Sequence, residues 1–359
     1  MLRLATLQRQ LRSPRPLQTL ARSFTASPGK TEDGGRAERR LQAISYARIS
    51  RKYPIHVGQL SMAAVDRTTR FLMDRGLSQT QALRVVALHV KMCQYTAGTM
   101  ESKIEWLSNL GLSHDKINSA ILRSPNILGM SFEKYEETVD WFISKGVPRD
   151  KIPYVFTVFP QGVSYKEETL DQKVDVLKEI GCDDAQIARI LTMSPQMLSY
   201  GTESLQETVN LLTQLGVPAE KVPSILARVP QCLGLSLDRI LETIDALDSM
   251  FGPGAGVRAL TWNPIIVMHN ISGLRRSFNY LVSIGFTKER LQRNTRLLTR
   301  SASRILRPRG QFLRSNGEDV VASIGWITMS ERAFMEEYPD FKAYLTEHKR
   351  RPTKKTPSV

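Results

Sequence analysis

Arginine side chains are concentrated in one segment of this sequence, KERLQRNTRLLTRSASRILRPRGQFLR at residues 288–314. On an α-helix, residues spaced three or four apart share one face. Between residues 249 and 317 the only acidic residue is Glu289, so these arginines have almost no carboxylates to pair with. Because a guanidinium binds phosphate through two parallel hydrogen bonds, the pattern predicts a phosphate-binding surface. The six arginines with this spacing are Arg290, Arg293, Arg296, Arg300, Arg304 and Arg307.

Further basic residues flank this predicted surface. A solvated basic face without a ligand is the alternative interpretation of the same pattern. We expect Leu291, Leu298, Ile305 and Leu306 to lie on the opposite, buried side. The tail HKRRPTKK at residues 348–355 is predicted to be disordered and to contribute non-specific attraction at most. The flanking residues of the predicted set are Arg275, Arg276, Lys288, Arg309 and Arg314.

Other residue types that carry out chemistry do not form a recognisable site. None of the histidines has metal-ligand spacing with another histidine or with a cysteine. The stretch GPGAGV at 252–257 has the wrong glycine spacing for a dinucleotide loop, and no Lys-Ser/Thr pair follows for a P-loop. We interpret it as a flexible loop between helices. The sequence therefore predicts no catalytic residues, no metal and no cofactor.

The elements that must position the arginines are indicated by two short words that recur along the chain. One is a glycine, as in LGL or KGV, and the other is a proline 14 residues later, as in SPQML. Both recur every 34 or 35 residues, which is typical of a solenoid of stacked repeats. The glycines are Gly111, Gly146, Gly181 and Gly216, and the prolines are Pro125, Pro160, Pro195, Pro230 and Pro264.

Residues 176–207 show what one repeat contains. A helix ends at Gly181, where a glycine can adopt the left-handed conformation of a C-terminal cap. Asp183 and Asp184 begin a second helix, as acidic residues do in a first turn. Pro195 interrupts that helix because it lacks the amide hydrogen, and it begins a short third helix with Ser194 as the expected N-cap. No segment alternates with the period of a strand, so we predict an all-α fold.

The array has degenerate repeats at both ends, as capping repeats require. A copy around Gly76 has Val90 in place of proline, and a copy around Gly285 has Thr299. We therefore predict about seven helix–helix–short-helix repeats over residues 71–315. We expect a helical lead-in at 36–70, a helical C-terminal cap at 316–347 and the basic tail at 348–359. Trp106, Trp141 and Tyr280 share one repeat position, which favours a place in the core between repeats.

Charge and composition indicate where in the cell the protein is located and which class of protein it belongs to. The first 31 residues contain arginine, serine and threonine but no Asp or Glu, which is typical of a transit peptide. We expect mitochondrial import to the matrix and removal of residues 1–35, with a chloroplast address or a plain disordered tail as alternatives.

No apolar run approaches the ~18 residues of a membrane span. Cys93, Cys182 and Cys232 are odd in number, which favours buried free thiols.

The net charge of +15 is unevenly distributed. Residues 101–250 carry 14 basic and 22 acidic side chains, whereas residues 251–359 carry 19 basic and 8 acidic ones. The basic surface is therefore predicted to lie toward the C-terminal repeats. The acidic central repeats are a candidate surface for docking proteins.

The order of glycine, helix, proline and short third helix resembles the mitochondrial transcription termination factor (mTERF) family. Pentatricopeptide repeats have a similar length but consist of two plain helices, without the proline word. The resemblance implies a right-curving half-superhelix with a basic groove that binds DNA or RNA in organelles, and a protein that is not an enzyme. It also implies a basic residue two positions before the proline, which Arg123 and Arg228 match. Val158, Met193 and Trp262 depart from that pattern.

The sequence is compatible with three functions. The first is a monomeric nucleic-acid-binding regulator of mitochondrial transcription, which contacts phosphates along its groove. The second is a component or assembly factor of the mitochondrial ribosome that holds ribosomal RNA at the arginine-rich end and proteins at the acidic middle. The third is a protein scaffold without nucleic acid.

Overall fold

The computed structural model describes residues 62–349, and the regular elements in that range are helices. No β-strand occurs in this part of the chain, which confirms the all-α prediction. The predicted transit peptide at 1–35 lies outside the described residues. Most of the lead-in at 36–70 and the basic tail from 350 onward also lie outside them.

Seven successive units between Met62 and Thr299 have the predicted organisation, and we number them repeats 1 to 7. The first helices are Met62–Asp74, Ala97–Asn109, Phe132–Ser144, Glu167–Glu179, Thr202–Gln214, Leu237–Phe251 and Ile271–Ser283. The second helices are Gln79–Leu88, His114–Arg123, Ile152–Val158, Asp184–Met193, Val222–Arg228, Ala255–Trp262 and Lys288–Arg293. The third elements are 3₁₀ turns at Val90–Gln94, Pro125–Gly129, Pro160–Ser164, Pro195–Ser199, Pro230–Gly234, Pro264–Met268 and Thr295–Thr299. The helix–helix–short-helix repeat is therefore confirmed.

The recurring glycine forms the corner between the first and second helices. Gly111 has φ +105°, a left-handed conformation that costs glycine little because it has no Cβ. Its amide donates a hydrogen bond to the Ser108 carbonyl, and the Leu112 amide donates to the Leu107 carbonyl across the corner. The two hydrogen bonds together form a Schellman motif. Leu107 and Leu112 are both buried, so the same corner also contributes apolar packing. The corresponding glycines of the other repeats have positive φ as well.

The recurring proline begins the 3₁₀ turn. In repeat 4 the second helix ends at Met193, and Pro195 is the first residue of the turn, a position whose amide would have no partner within the turn. Met197 and Leu198 of that turn are fully buried. Equivalent elements of neighbouring repeats pack against each other, including the 3₁₀ turns of repeats 5, 6 and 7. The array therefore buries one continuous core.

Two details of the repeat prediction are wrong. Ser194 precedes the turn, but its side chain makes no capping hydrogen bond, and its buried Oγ has no partner. In repeat 7 the break falls at Thr295 and not at Thr299, because the second helix is only six residues long. Because the turn begins earlier than predicted, each arginine between Gly285 and the end of repeat 7 has a different repeat position from the predicted one.

The stretch GPGAGV is an ordered corner rather than a flexible loop. The Asp248 carboxylate accepts hydrogen bonds from the amides of Gly254 (3.2 Å) and Gly256 (2.6 Å), so it caps the start of the second helix of repeat 6. A Cβ at Gly256 would lie 2.6 Å from the Ile244 carbonyl oxygen. The glycine is therefore required for the close approach of the two helices of this repeat.

A helical cap follows repeat 7. It contains an aromatic cluster in which the Phe312 ring lies 5.3 Å from Phe341 and the Phe334 ring 4.9 Å from Phe341, measured between centroids. These rings bury the end of the array, which would otherwise expose the apolar face of its last repeat. The cap comprises a π-helical turn at Ala302–Leu306 and helices at Arg307–Ser315, Gly325–Thr328, Glu331–Glu337 and Phe341–Lys349.

Candidate nucleic-acid interface

The arginine-rich segment does not form one continuous helix. Residues 288–315 are divided into a short α-helix, a 3₁₀ turn, a π-helical turn and another α-helix. The single-face arrangement predicted from helical spacing is therefore wrong. Its apolar side is better predicted, because Leu291, Leu298 and Leu306 are fully buried, whereas Ile305 is only partly buried.

Several predicted phosphate-binding arginines instead hold the C-terminal cap against repeat 7. The guanidinium of Arg290 donates to the Val321 carbonyl, and that of Arg300 donates to the Thr328 carbonyl over 3.0 Å. Arg314 donates back to the Ile284 carbonyl over 2.9 Å. Each of these arginines contributes to the packing of the cap, so their removal would affect its stability.

Arg309 is a structural residue. Its side chain is only 3% exposed, and it donates to the carbonyls of Trp326 (2.8 Å), Met329 (3.0 Å) and Ser330 (3.2 Å). The guanidinium also lies 4.3 Å from the centre of the Phe334 ring. Burial, followed by the nearby Arg300, lowers the pKa of Arg309 below the ordinary arginine value. A ligand in solution cannot reach this side chain, so its assignment to the binding set is wrong.

Other arginines converge on an open cleft across repeats 5, 6 and 7. The cleft has a volume of about 600 Å³, and no acidic residue lines it. The Arg228 guanidinium donates to the Trp262 carbonyl over 2.9 Å, which holds this arginine at the wall and leaves other donors available. The side chains of Arg293 and Arg296 are exposed and make no hydrogen bond with the protein. The basic and aromatic side chains of the cleft are Arg228, Arg258, Trp262, Arg293 and Arg296.

Three of these side chains occupy the same position in successive repeats. Arg228, Trp262 and Arg293 are each the last residue of a second helix. The earlier break at Thr295 puts Arg293 two residues before the 3₁₀ turn, at the position that Arg228 holds in repeat 5. The cleft therefore presents a row of arginine, tryptophan and arginine.

The remaining predicted residues lie apart from this cleft. Arg123 is in repeat 2 and donates to the Val158 carbonyl over 3.4 Å. Arg276 and Arg300 line a smaller cavity of about 190 Å³ together with His269, whose pKa burial lowers. Arg307 lies 5.2 Å from the Tyr280 ring. The others are exposed side chains without a protein hydrogen bond: Arg275, Lys288 and Arg304.

The described residues contain little that suggests other chemistry. No cluster of three or more His, Cys, Asp or Glu side chains in this range could hold a metal ion. Cys93, Cys182 and Cys232 are buried free thiols, and burial raises the pKa of Cys232 to about 12. Such thiols are unreactive at neutral pH. Within residues 62–349, no helix combines the length and the apolar character needed to cross a membrane.

Sequence reasoning missed two residues of the cleft. Arg258 lies one helical turn before Trp262 and outside the dense basic segment, so the clustering of arginines along the sequence does not identify it. In the sequence, Trp262 is only a departure from the basic position of the mTERF repeat. The signal that could have identified both is the repeat register, which places the ends of the second helices of adjacent repeats side by side.

The fold is that of an all-α repeat protein, and arginines line an open cleft across repeats 5 to 7. The mTERF family model matches residues 38–207 and 202–330, and the chain belongs to this family. The family comprises nucleic-acid-binding regulators of gene expression in organelles, and its members are in general not enzymes. A comparison with curated proteins found no match.

Proposed function

We propose that this protein regulates mitochondrial transcription, including its termination, by binding nucleic acid in the cleft of repeats 5 to 7. The observation that carries the proposal is the set of four arginines around one open cleft without a carboxylate. Like charges at this density repel one another unless an anion lies between them. A nucleic-acid backbone supplies such anions at regular spacing, and binding it releases condensed counterions. The proposed protein is monomeric and not an enzyme.

Crosslinking in cells tests this proposal. Bound nucleic acid should be recovered with the wild-type protein and sequenced, and the yield should fall when Arg293 and Arg296 are both replaced by alanine. The matched control is Arg149→Ala with Lys151→Ala, which removes the same charge from exposed positions in repeat 3. Equal yields from the cleft variant and the control would contradict a role of the cleft.

A second candidate function is supported by the charge of the first helices. Glu133, Glu168, Glu203 and Asp238 hold the same position in repeats 3 to 6, and all are exposed. Acidic residues stabilise the start of a helix, but a row of them also forms a surface for a basic protein. A component or assembly factor of the mitochondrial ribosome would use both this row and the cleft. Sedimentation with a ribosomal subunit after nuclease treatment would favour this second function.

We also propose that residues 1–35 direct the protein to the mitochondrial matrix. A reporter fused to these residues should be imported and shortened, with cleavage between residues 22 and 35. The physical basis is the acid-free, arginine-rich composition of the segment, which favours movement along an inside-negative membrane potential. Replacing its arginines by glutamines should abolish import. Retention of the unaltered fusion in the cytosol would contradict the address, and import into plastids would contradict the choice of organelle.

A further inference from the structure

The exposure of Trp262 is unusual for this side chain. Its relative accessibility is 74%, whereas Trp141 and Trp326 are 4% and 5% exposed and belong to the core. Among the described residues, Trp262 makes no aromatic contact with another ring, and its indole N–H donates to no protein acceptor. Both the face and the edge of the indole are therefore available to a ligand.

The neighbours of Trp262 indicate what kind of ligand fits. Arg228 and Arg293 flank it in the repeats on either side, and Arg258 and Arg296 line the same cleft. Repeats stack with helices about 8–10 Å apart, so one extended strand can contact all three members of the row. Because the cleft has four positive charges and no carboxylate, its ligand carries negative charge next to an apolar, planar group.

An unpaired nucleotide has that combination of groups. Its phosphates can pair with the arginines, and its base can stack on the indole, whatever the base, because each base has a π face. In a duplex both faces of each base are already covered by neighbouring base pairs. A protein that inserts a tryptophan anchor is a different class of ligand, and the surrounding arginines favour a polyanion over it.

We infer that the cleft binds a single-stranded segment of nucleic acid, with one unpaired base stacked on Trp262 and the adjoining phosphates bound by Arg228, Arg293 and Arg296. This inference rests on the proposed function, which requires only that the cleft bind a nucleic-acid backbone. It adds a preference for single strands over duplexes of the same length and assigns that preference to one side chain. RNA and DNA single strands share the recognised chemistry.

Equilibrium titration of the purified protein with fluorescent oligonucleotides tests the inference. The ligands are oligouridine, oligothymidine, a duplex of the same length, and a strand of the same length whose central nucleotides lack bases. Trp262→Ala should weaken binding of both single strands by about 5- to 150-fold, the range measured for one lost base–aromatic stack. Binding of the duplex and the abasic strand should stay unchanged, and Trp262→Phe should restore most of the loss.

The outcomes separate this inference from the function on which it rests. A wild-type protein that binds neither strands nor duplex at low salt overturns the proposed function. Binding of both, with no effect of Trp262→Ala or with equal loss on the abasic strand, overturns the inference alone. Retained nucleic-acid affinity together with loss of a protein crosslink would assign Trp262 to a protein interface and also overturn it. An unchanged melting temperature of Trp262→Ala, expected from its exposure, shows that the fold is intact.

Discussion

Replacing Arg309 by methionine should destabilise the C-terminal cap by about 3 kcal/mol, since each buried acceptor that loses its donor costs roughly 1–3 kcal/mol. Methionine keeps much of the apolar stem but supplies none of the hydrogen bonds to Trp326, Met329 and Ser330. The contact with the Phe334 ring is lost as well. Hydrogen exchange should therefore accelerate first in the helices between Gly325 and Lys349.

A matched control is Arg332→Ala in the same cap. The Arg332 side chain is exposed and pairs only with Glu336 along its own helix, an interaction that contributes at most about 1 kcal/mol. Thermal unfolding should separate the two variants clearly. Equal stability of Arg309→Met and the wild type would mean that the cap is held by its aromatic cluster alone, and that Arg309 is not its anchor.

A second large effect is expected on nucleic-acid binding by the cleft of repeats 5 to 7. Replacing both Arg293 and Arg296 by alanine should weaken nucleic-acid binding by roughly 100-fold at low salt, because hydrogen bonds to charged groups contribute about 1.5–3 kcal/mol each. The loss should be similar for all sequences, since phosphate contacts carry no base information. Fluorescence anisotropy measures the affinity. Stability should not change, because neither side chain makes a hydrogen bond with the protein.

The same experiment distinguishes the cleft from the rest of the basic surface. Arg275→Ala combined with Lys288→Ala also removes two exposed charges from repeat 7, but neither residue lines the cleft. We expect a much smaller loss of affinity from this pair. A loss as large as that of the cleft variant would indicate general attraction to a basic end and not a defined binding site.

The repeat architecture could be predicted because it depends on local stereochemistry. Gly181 ends a helix through its left-handed φ, and Pro195 begins a turn through its missing amide hydrogen, so the two residue types mark the chain directly. Repeat 7 has no proline. Its second helix ends early, at Arg293, and nothing in the local sequence identified Thr295 as the start of the turn.

Spacing alone could not predict which arginines are buried under the cap and which are exposed in the cleft. Arg309 and Arg296 both belong to one basic segment, yet one is buried under the cap and the other is exposed in the cleft. The difference depends on carbonyl groups around Trp326 and Met329, which come from a part of the chain that sequence periodicity does not connect to Arg309. Helical spacing also failed because the segment changes its helix type three times between Arg293 and Arg307.

The measurement that tests the central claim most directly is the salt dependence of nucleic-acid affinity for the Arg293→Ala, Arg296→Ala variant. Each lost phosphate contact should reduce the slope of log affinity against log salt by about 0.7 on a single strand or about 0.9 on a duplex. The variant should therefore have a slope lower than that of the wild type by about 1.4 to 1.8. The Arg149→Ala, Lys151→Ala control should keep the wild-type slope. An unchanged slope in the cleft variant, with its helical circular dichroism intact, would contradict the claim that the cleft of repeats 5 to 7 binds phosphate.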